Sequence, residues 1–477
     1  MSGRSHVRFL GRLSFGIGSY AEGIKNGAFN YFLLFYYNQV LGLSGSLTGA
    51  ALAIALIADA VTDPVVGSIS DRHQSRIGWG RRHPFMYGAA IPFGIVFYLL
   101  FVPPEGLSQL ALFSWLVVLA VSCRVALSVY SVPHMTLAAE LTPDYDERTV
   151  LSAFRSFLSI TGAVSVVLIG YTVFFPDNGQ LDPANYPAFA LTAGIAMAFS
   201  ILVSAAGTHS YIPSLQQPAQ EAPAFSLRRV AGEFMDACRV RAFKFLLLAL
   251  LSNAALQGIL ASIAVYIMTF FFQFEGSQIG LGLSLGMAGG VTGALICSPI
   301  AERIGSKRNG LILGFLWFAG FTSFTVNLRI LGLAPENGDP LLFPLVAIIG
   351  GIGGIGMGFI HVLGTAMIAD VTDEHERLHG ERQEGIYYSA ISFTGKATSG
   401  LGAMIAGFAI DLVGLNPNAD PLQAPQAAID GLGLLYGPGV MVFCLIPIAL
   451  IWRYDIDRER HRQIRDEISA ARAGAGT

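Results

Sequence analysis

Long apolar runs, broken by short polar segments rich in arginine, set the pattern of this chain. A helix that crosses a bilayer needs roughly 20 apolar residues. Runs of that kind fall at about 14–40, 47–70, 84–102, 108–138, 150–175, 186–208, 242–272, 279–300, 309–331, 342–369, 386–413 and 432–452. The pattern predicts an all-α membrane protein with twelve transmembrane helices. Between the sixth and seventh runs the chain opens polar and proline-rich (IPSLQQPAQEAPAF) and then turns basic and amphipathic (SLRRVAGEFMDACRVRAFK). That predicts a cytoplasmic linker with a surface helix at 209–241. It separates a first six-helix bundle, 1–208, from a second, 242–452, and leaves a charged tail at 453–477. The tail predicts an amphipathic helix with a solvated face, or one that lies on lipid.

The two bundles carry a weak repeat. Asp71-Arg72 follows the second run and Glu302-Arg303 follows the eighth, 231 residues later. Each acid–arginine pair precedes a short loop and a dibasic pair at a helix start (Arg81-Arg82 and Lys307-Arg308). Parallel repeats of this kind build many transporters. Glycine-rich runs such as GLGLSLGMAGGVTGA and IIGGIGGIGMG place small residues at helical spacing, which permits close helix approach in lipid.

Composition and charge agree with this reading. The chain is 53% hydrophobic and 13% charged, with a mean hydropathy of +0.57, whereas a soluble domain carries about 25% charged residues. Of the 29 lysines and arginines, all but Lys25, Arg124, Arg155, Arg329 and Lys396 fall at the termini, in the loops after even-numbered runs or, for Lys244, at the loop edge of the seventh run. The positive-inside rule then puts both termini in the cytoplasm. The expected location is a bacterial inner membrane. The four cysteines show no paired spacing and predict free thiols. No GxxxxGK[ST] loop occurs. An enzyme is not expected, and neither is transport driven by ATP hydrolysis. The expected partners are a small solute and the bilayer, with no nucleic acid, and the expected state is a monomer.

The most telling residues are Asp59 and Asp63, inside the second run. A carboxylate at mid-bilayer costs ~2.5–3.5 kcal/mol on insertion scales, so it is normally functional. Spaced four apart, the two project from one helix face. Such a pair suits a monovalent cation or a proton; the alternative is a structural ion pair with Lys25 or Lys396. Lys25 lies three residues after Glu22 and could pair locally or reach the aspartates. Reaching them, it would stand in for the cation. Lys25, Arg124, Arg155 and Lys396 outnumber Glu22, Asp59 and Asp63 by one charge, which favours an anionic solute such as a hexuronide. Together with Asn26, these basic groups and Glu22 are candidates for the solute site. His134 and His361 could relay protons or simply pack. Asp71, Arg72, Arg81, Arg82, Arg148, Asp370, Asp373, Arg382 and Glu384 are expected to form salt bridges that close the cytoplasmic side. Glu140 caps its helix or joins them.

Three segments carry a resemblance: DAVTDPVVGSISDRHQSRIGWGRRHP, SVPHMTLAAELTPDYDERTVLSAFRS and ADVTDEHERLHGERQEGIYYSAISFTGK. They resemble the glycoside–pentoside–hexuronide:cation symporter family, to which melibiose carriers belong, within the major facilitator superfamily. The resemblance implies the major facilitator fold, alternating access and no cofactor beyond a coupling Na⁺ or H⁺. It places the cation on Asp59, Thr62, Asp63 and Ser128, and the solute near Ser131, Met135, Arg155 and Lys396. Ser131 and Met135 stand where sugar carriers have an acid and an aromatic ring, which argues against a simple galactoside. Similar motifs occur in animal lysophospholipid carriers. An amphipathic or organic-anion carrier, proton-coupled or uncoupled, is therefore the alternative.

Overall fold

A computed structural model describes residues 7–73, 75, 78–142, 144–215, 232, 235, 237–379, 396 and 400–474. The described chain is helical. Ten of its helices are long and apolar enough to cross a membrane. They are α2 (Gly45–Arg72), α3 (His83–Leu100), α4 (Gln109–Leu141), α5 (Tyr145–Ile169), α6 (Tyr186–His209), α7 (Arg241–Tyr266), α8 (Gly276–Ile304), α9 (Lys307–Ile330), α10 (Leu342–His379) and α12 (Gln426–Ile451). Before them comes α1 (Phe9–Tyr31), which carries Arg12, Glu22 and Lys25 and so reads as less apolar. Of the eleventh run, Lys396 and the helix α11 (Gly400–Leu412) are described. The chain ends in α13 (Arg458–Gly474).

Local chemistry fixes the helix ends. The Ser44, Ser108, Asp144 and Ser306 side chains accept backbone N–H groups at the starts of α2, α4, α5 and α9. A Glu275/Gln278 capping box starts α8, and Gly305, at φ 70°, ends it in the left-handed conformation.

The repeat seen in the sequence is also structural. A π-helical turn ends the first helical run at Tyr36–Val40, and another ends α7 at Ile267–Phe271. The next helices start at Gly45 and Gly276. Each feature recurs after 231 residues, the spacing of the two acid–arginine pairs.

In the first six helices, α1 packs on α5 and α6, α2 on α4, and α3 on α4 and α6. In the second set, α8 and α9 pack on α10, and α7 and α9 on α12. Ties between the sets cluster at the end away from the termini. There, Asp411 accepts the Gly45 and Ser46 N–H groups at 2.8 and 2.7 Å, and Tyr266 Oη lies 3.1 Å from Asn38 Oδ1. One apolar core accordingly joins α1–α6 to the far ends of α7 and α8, while a second fills the terminal end of the later helices.

Two expectations about the elements change, and a third lies largely outside the described residues. The tenth helix runs to His379, ten residues past its expected end, because the polar stretch Asp370–His379 is held by ion pairs. The tail is not a free helix. Ile464 and Tyr454 are buried in the second core, Arg377 Nη1 donates to Glu467 at 3.2 Å, and His461 lies 3.2 Å from Asp373. Burial, with the Asp370 carboxylate nearby, holds the Tyr454 phenol well above its usual range, so it stays a neutral donor to Met367 O. The surface helix expected within 209–241 falls mostly outside the described residues.

Candidate ion and solute site

The site grows from the contact between α2 and α4. Asp59 and Asp63 lie one turn apart on α2, and Arg124 and Ser128 lie one turn apart on α4. The two rows face each other. Arg124 Nη1 donates to Asp59 Oδ2 at 2.7 Å, with both side chains almost fully buried. Ser128 Oγ sits 2.5 Å from Asp63 Oδ1 and 3.4 Å from Asp59 Oδ1. Thr62 Oγ1 is 3.5 Å from Ser128 Oγ. The remaining Asp63 oxygen pairs with Lys396 Nζ, which is the tie between the two helix sets at this depth. Pro64 follows Asp63 and has no N–H to complete the α2 ladder, which loosens the helix beside its second carboxylate.

All four residues expected around a cation are therefore together, and two of the expected solute residues join them. Arg124 and Lys396 meet the aspartates directly. The partner of Asp59 is Arg124, not Lys25 or Lys396; the sequence offered no register between α2 and α4 that would show it. A buried arginine keeps its charge and neutralises the carboxylate it contacts.

Lys25 sits beside this pair without a carboxylate in contact. It is 2% exposed, its Nζ is 3.4 Å from Asn26 Oδ1, and it lies 4.5 Å from the Phe29 ring centroid. Arg124 Cζ lies over the same ring at 5.5 Å. Phe29 thus serves two cations, a role nothing in the apolar pattern of α1 signals. The remaining charges, Glu22 and Arg155, form a looser pair at 3.8 Å between α1 and α5, with Arg155 Nε also 3.4 Å from Ser19 Oγ. Glycines bring these two helices close. A Cβ on Gly23 would strike the Ser159 carbonyl, and one on Gly162 the Tyr20 carbonyl. No side chain, acidic or otherwise, fits at Gly23. Ser131 is half-buried and Met135 is 46% exposed, both further along α4 towards the terminal end. His134 is buried, stacked on Phe15 and Tyr130, with Nε2 2.8 Å from Phe15 O. That geometry is packing.

The charged residues of the terminal end form clusters within each helix set. Glu140 accepts from Arg81 at 2.6 Å and from Arg82 at 3.0 Å, and Arg82 also reaches Asp71 at 2.5 Å and Ser70 at 2.7 Å. Arg148 donates to the Thr142 and Ala139 carbonyls, and Arg72 is exposed. In the second set Lys307 grips both oxygens of Asp370, and Asp373 meets His461. Among the described residues these pairs tie neighbouring helices of one set and do not bridge the sets. Arg382 and Glu384 lie outside the described residues. Glu140 is the acid on which the first cluster centres.

Comparison with known proteins fits this geometry. Residues 14–458 match the family described as MFS/sugar transport protein. The chain is 24% identical to an uncharacterized symporter of Synechocystis, over 97% of both chains. It is 24% identical to the isoprimeverose transporter of Lactiplantibacillus pentosus, over 97% of this chain and 92% of that one. The glucuronide carrier protein homolog of Escherichia coli is also 24% identical, over 96% and 94%. Among solved structures, a bacterial homolog of the lysosomal transporter Spinster, inward-facing and unoccupied, superposes with a TM-score of 0.64 at 13% identity, covering 96% of this chain and 97% of that one. The chain belongs to the MFS/sugar transport family, and it is a multi-pass membrane transporter of the major facilitator superfamily, not an enzyme.

Proposed function

We propose that this chain is a twelve-helix secondary transporter that carries a sugar acid, a hexuronide-like solute, by alternating access coupled to a monovalent cation. Its two six-helix bundles are 1–208 and 242–452, joined by the 209–241 linker, with both termini in the cytoplasm of a bacterial cell. One observation carries the reading: three basic side chains, Lys25, Arg124 and Lys396, gather around two carboxylates, Asp59 and Asp63, with Lys25, Arg124 and Asp59 buried and the Asp63–Lys396 pair partly exposed. Buried charge in a spanning helix marks a solute or ion path. A surplus of positive charge favours a solute that brings a negative one, and Arg155 and Asn26 lie on the adjoining turns to bind it.

The arrangement supports a cycle. The described ties between the helix sets lie at the end away from the termini, and among the described residues the ion pairs of the terminal end are internal to each set, which supports a state open towards the cytoplasm. The Asp63–Lys396 tie spans the sets and joins the ion site to the rocking motion. Arg81, Arg82, Asp71, Glu140, Lys307 and Asp370 are free to exchange partners across the sets when that side closes.

Counterflow in proteoliposomes tests the solute class. A labelled β-glucuronide is expected to exchange at least ~tenfold faster than a neutral β-glycoside, the factor that ~1.4 kcal/mol of charge recognition supplies. Faster exchange of the neutral glycoside, or of a lysophospholipid, defeats this assignment.

A further inference from the structure

The oxygens that would hold Na⁺ face donors supplied by the protein. Asp59 Oδ2 has the Arg124 guanidinium, Asp63 Oδ2 has the Lys396 ammonium, and Ser128 Oγ lies against the other two. A metal cation entering here would meet two fixed like charges at hydrogen-bond distance, with a third at Lys25. Arg124 cannot step aside by deprotonation, since a guanidinium keeps its charge in proteins. A lysine can, because a buried ammonium loses its proton readily when it lacks a counter-ion.

Lys25 is the buried lysine of this cluster with no carboxylate in hydrogen-bond contact. Among the described residues, the titratable and charged groups that face it are Arg124 and Cys123 from α4, Asp59 from α2 and Lys396 from the second set. Arg124 is already committed to Asp59, and Lys396 to Asp63. Glu22, on Lys25's own helix, is paired with Arg155. Count the five central side chains. With Lys25 protonated, three positive charges face two negative ones. With Lys25 neutral, the cluster carries no net charge. Moving a net charge through a low-dielectric interior is unfavourable. Two loads leave the cluster neutral: nothing with Lys25 deprotonated, or one proton on Lys25 together with one monoanion.

Resting on the sugar-acid reading above, we propose that Lys25 Nζ is the proton-binding site of the carrier. The proton and a monoanionic solute enter and leave together, the movement is electroneutral, and Na⁺ takes no part. The proton adds to the Nζ lone pair on the outer side and leaves to water on the inner side. The solute carboxylate supplies the counter-ion that the resting site lacks.

The full-length protein in liposomes, with trapped pyranine and methyl β-D-glucuronide as probe, tests this. Counterflow of the glucuronide without any gradient is the reference. Its absence rejects the sugar-acid reading, and this inference falls with it. With counterflow present, addition of solute should acidify the lumen, and a gradient of one pH unit should support ~tenfold accumulation, one proton per solute. A Na⁺ gradient alone, or a valinomycin-set potential alone, should support none. Lys25→Met and Lys25→Arg, normalised to their own counterflow, should both lose accumulation driven by the pH gradient. Arginine keeps the charge but cannot release the proton. If neither variant inserts, the wild-type measurements still decide. Counterflow without lumen acidification, Na⁺-driven or potential-driven accumulation, or undiminished pH-driven accumulation in Lys25→Arg, each overturns the assignment.

Discussion

The same helix pair is built twice in this molecule, from opposite materials. In the first set α2 faces α4; in the second, α8 faces α10. The helix starts at Gly45 and Gly276 put α2 and α8 in register at 231 residues, and Ala139-Glu140-Leu141-Thr142 matches Ala369-Asp370-Val371-Thr372 at 230. On that register Asp59 corresponds to Gly290, Arg124 to Gly354 and Ser128 to Gly358. Where Arg124 reaches Asp59, Gly354 lies on the backbone of Gly286 and Gly290. Where Ser128 reaches Asp63, Gly358 lies on Gly290 and Ala294. One contact is ionic and leaves room between the helices, and the other is a seam of backbone on backbone. A glycine seam has one packed arrangement. An ionic contact can exchange partners. The duplication therefore supplies a rigid copy and a charged copy.

Removing one charge from the charged copy should have the largest effect. Arg124→Met leaves Asp59 buried and unpaired, and is expected to destabilise the protein by ~3–5 kcal/mol, read as a lower unfolding temperature in detergent. Adding Asp59→Leu to Arg124→Met should return most of that stability while transport stays lost. If the double variant is no better than the single, the contact is not a charge pair. Asp59→Cys alone is predicted to impair folding as well as uptake, for the same reason. Gly354→Ala should come next, at ~1–3 kcal/mol, because the new methyl meets a backbone carbonyl that cannot move aside. Unchanged stability in that variant would mean that the seam is loose. The smallest test compares the clamps at the terminal end. Arg82 is buried with three partners, so Arg82→Gln should cost about 1.5–3 kcal/mol. Lys307 is 43% exposed, and Lys307→Gln should cost under ~1 kcal/mol in the same unfolding assay. Equal losses would erase the asymmetry at this end.

Much of this was legible in the chain. Apolar runs of bilayer length mark the helices, because lipid obliges a spanning backbone to satisfy its own hydrogen bonds. The repeat was visible in the acid–arginine pairs and the dibasic helix starts, and the structure pairs Arg81 and Arg82 with Glu140 and Lys307 with Asp370. Asp59 and Asp63 were legible from cost alone. Less legible was what each charge touches. Arg124 was a candidate for the solute and binds Asp59 instead, since periodicity gives a residue's face but not the neighbour across it. Phe29, a plain apolar residue in the pattern, supports two cations. The tail looked like a solvated helix, yet Ile464 is fully buried, because a few apolar positions among many charges suffice once a surface is offered to them.

By itself, the sequence determined that the chain is helical and lives in a membrane, and that charge sits inside it, because transfer between water and hydrocarbon depends on residue type and run length. Only the tertiary structure decided which of those charges contact one another and which one, Lys25, has no carboxylate in contact. Coulomb attraction acts over a few ångströms, and distances that short between α1, α2, α4 and the second helix set are fixed by packing.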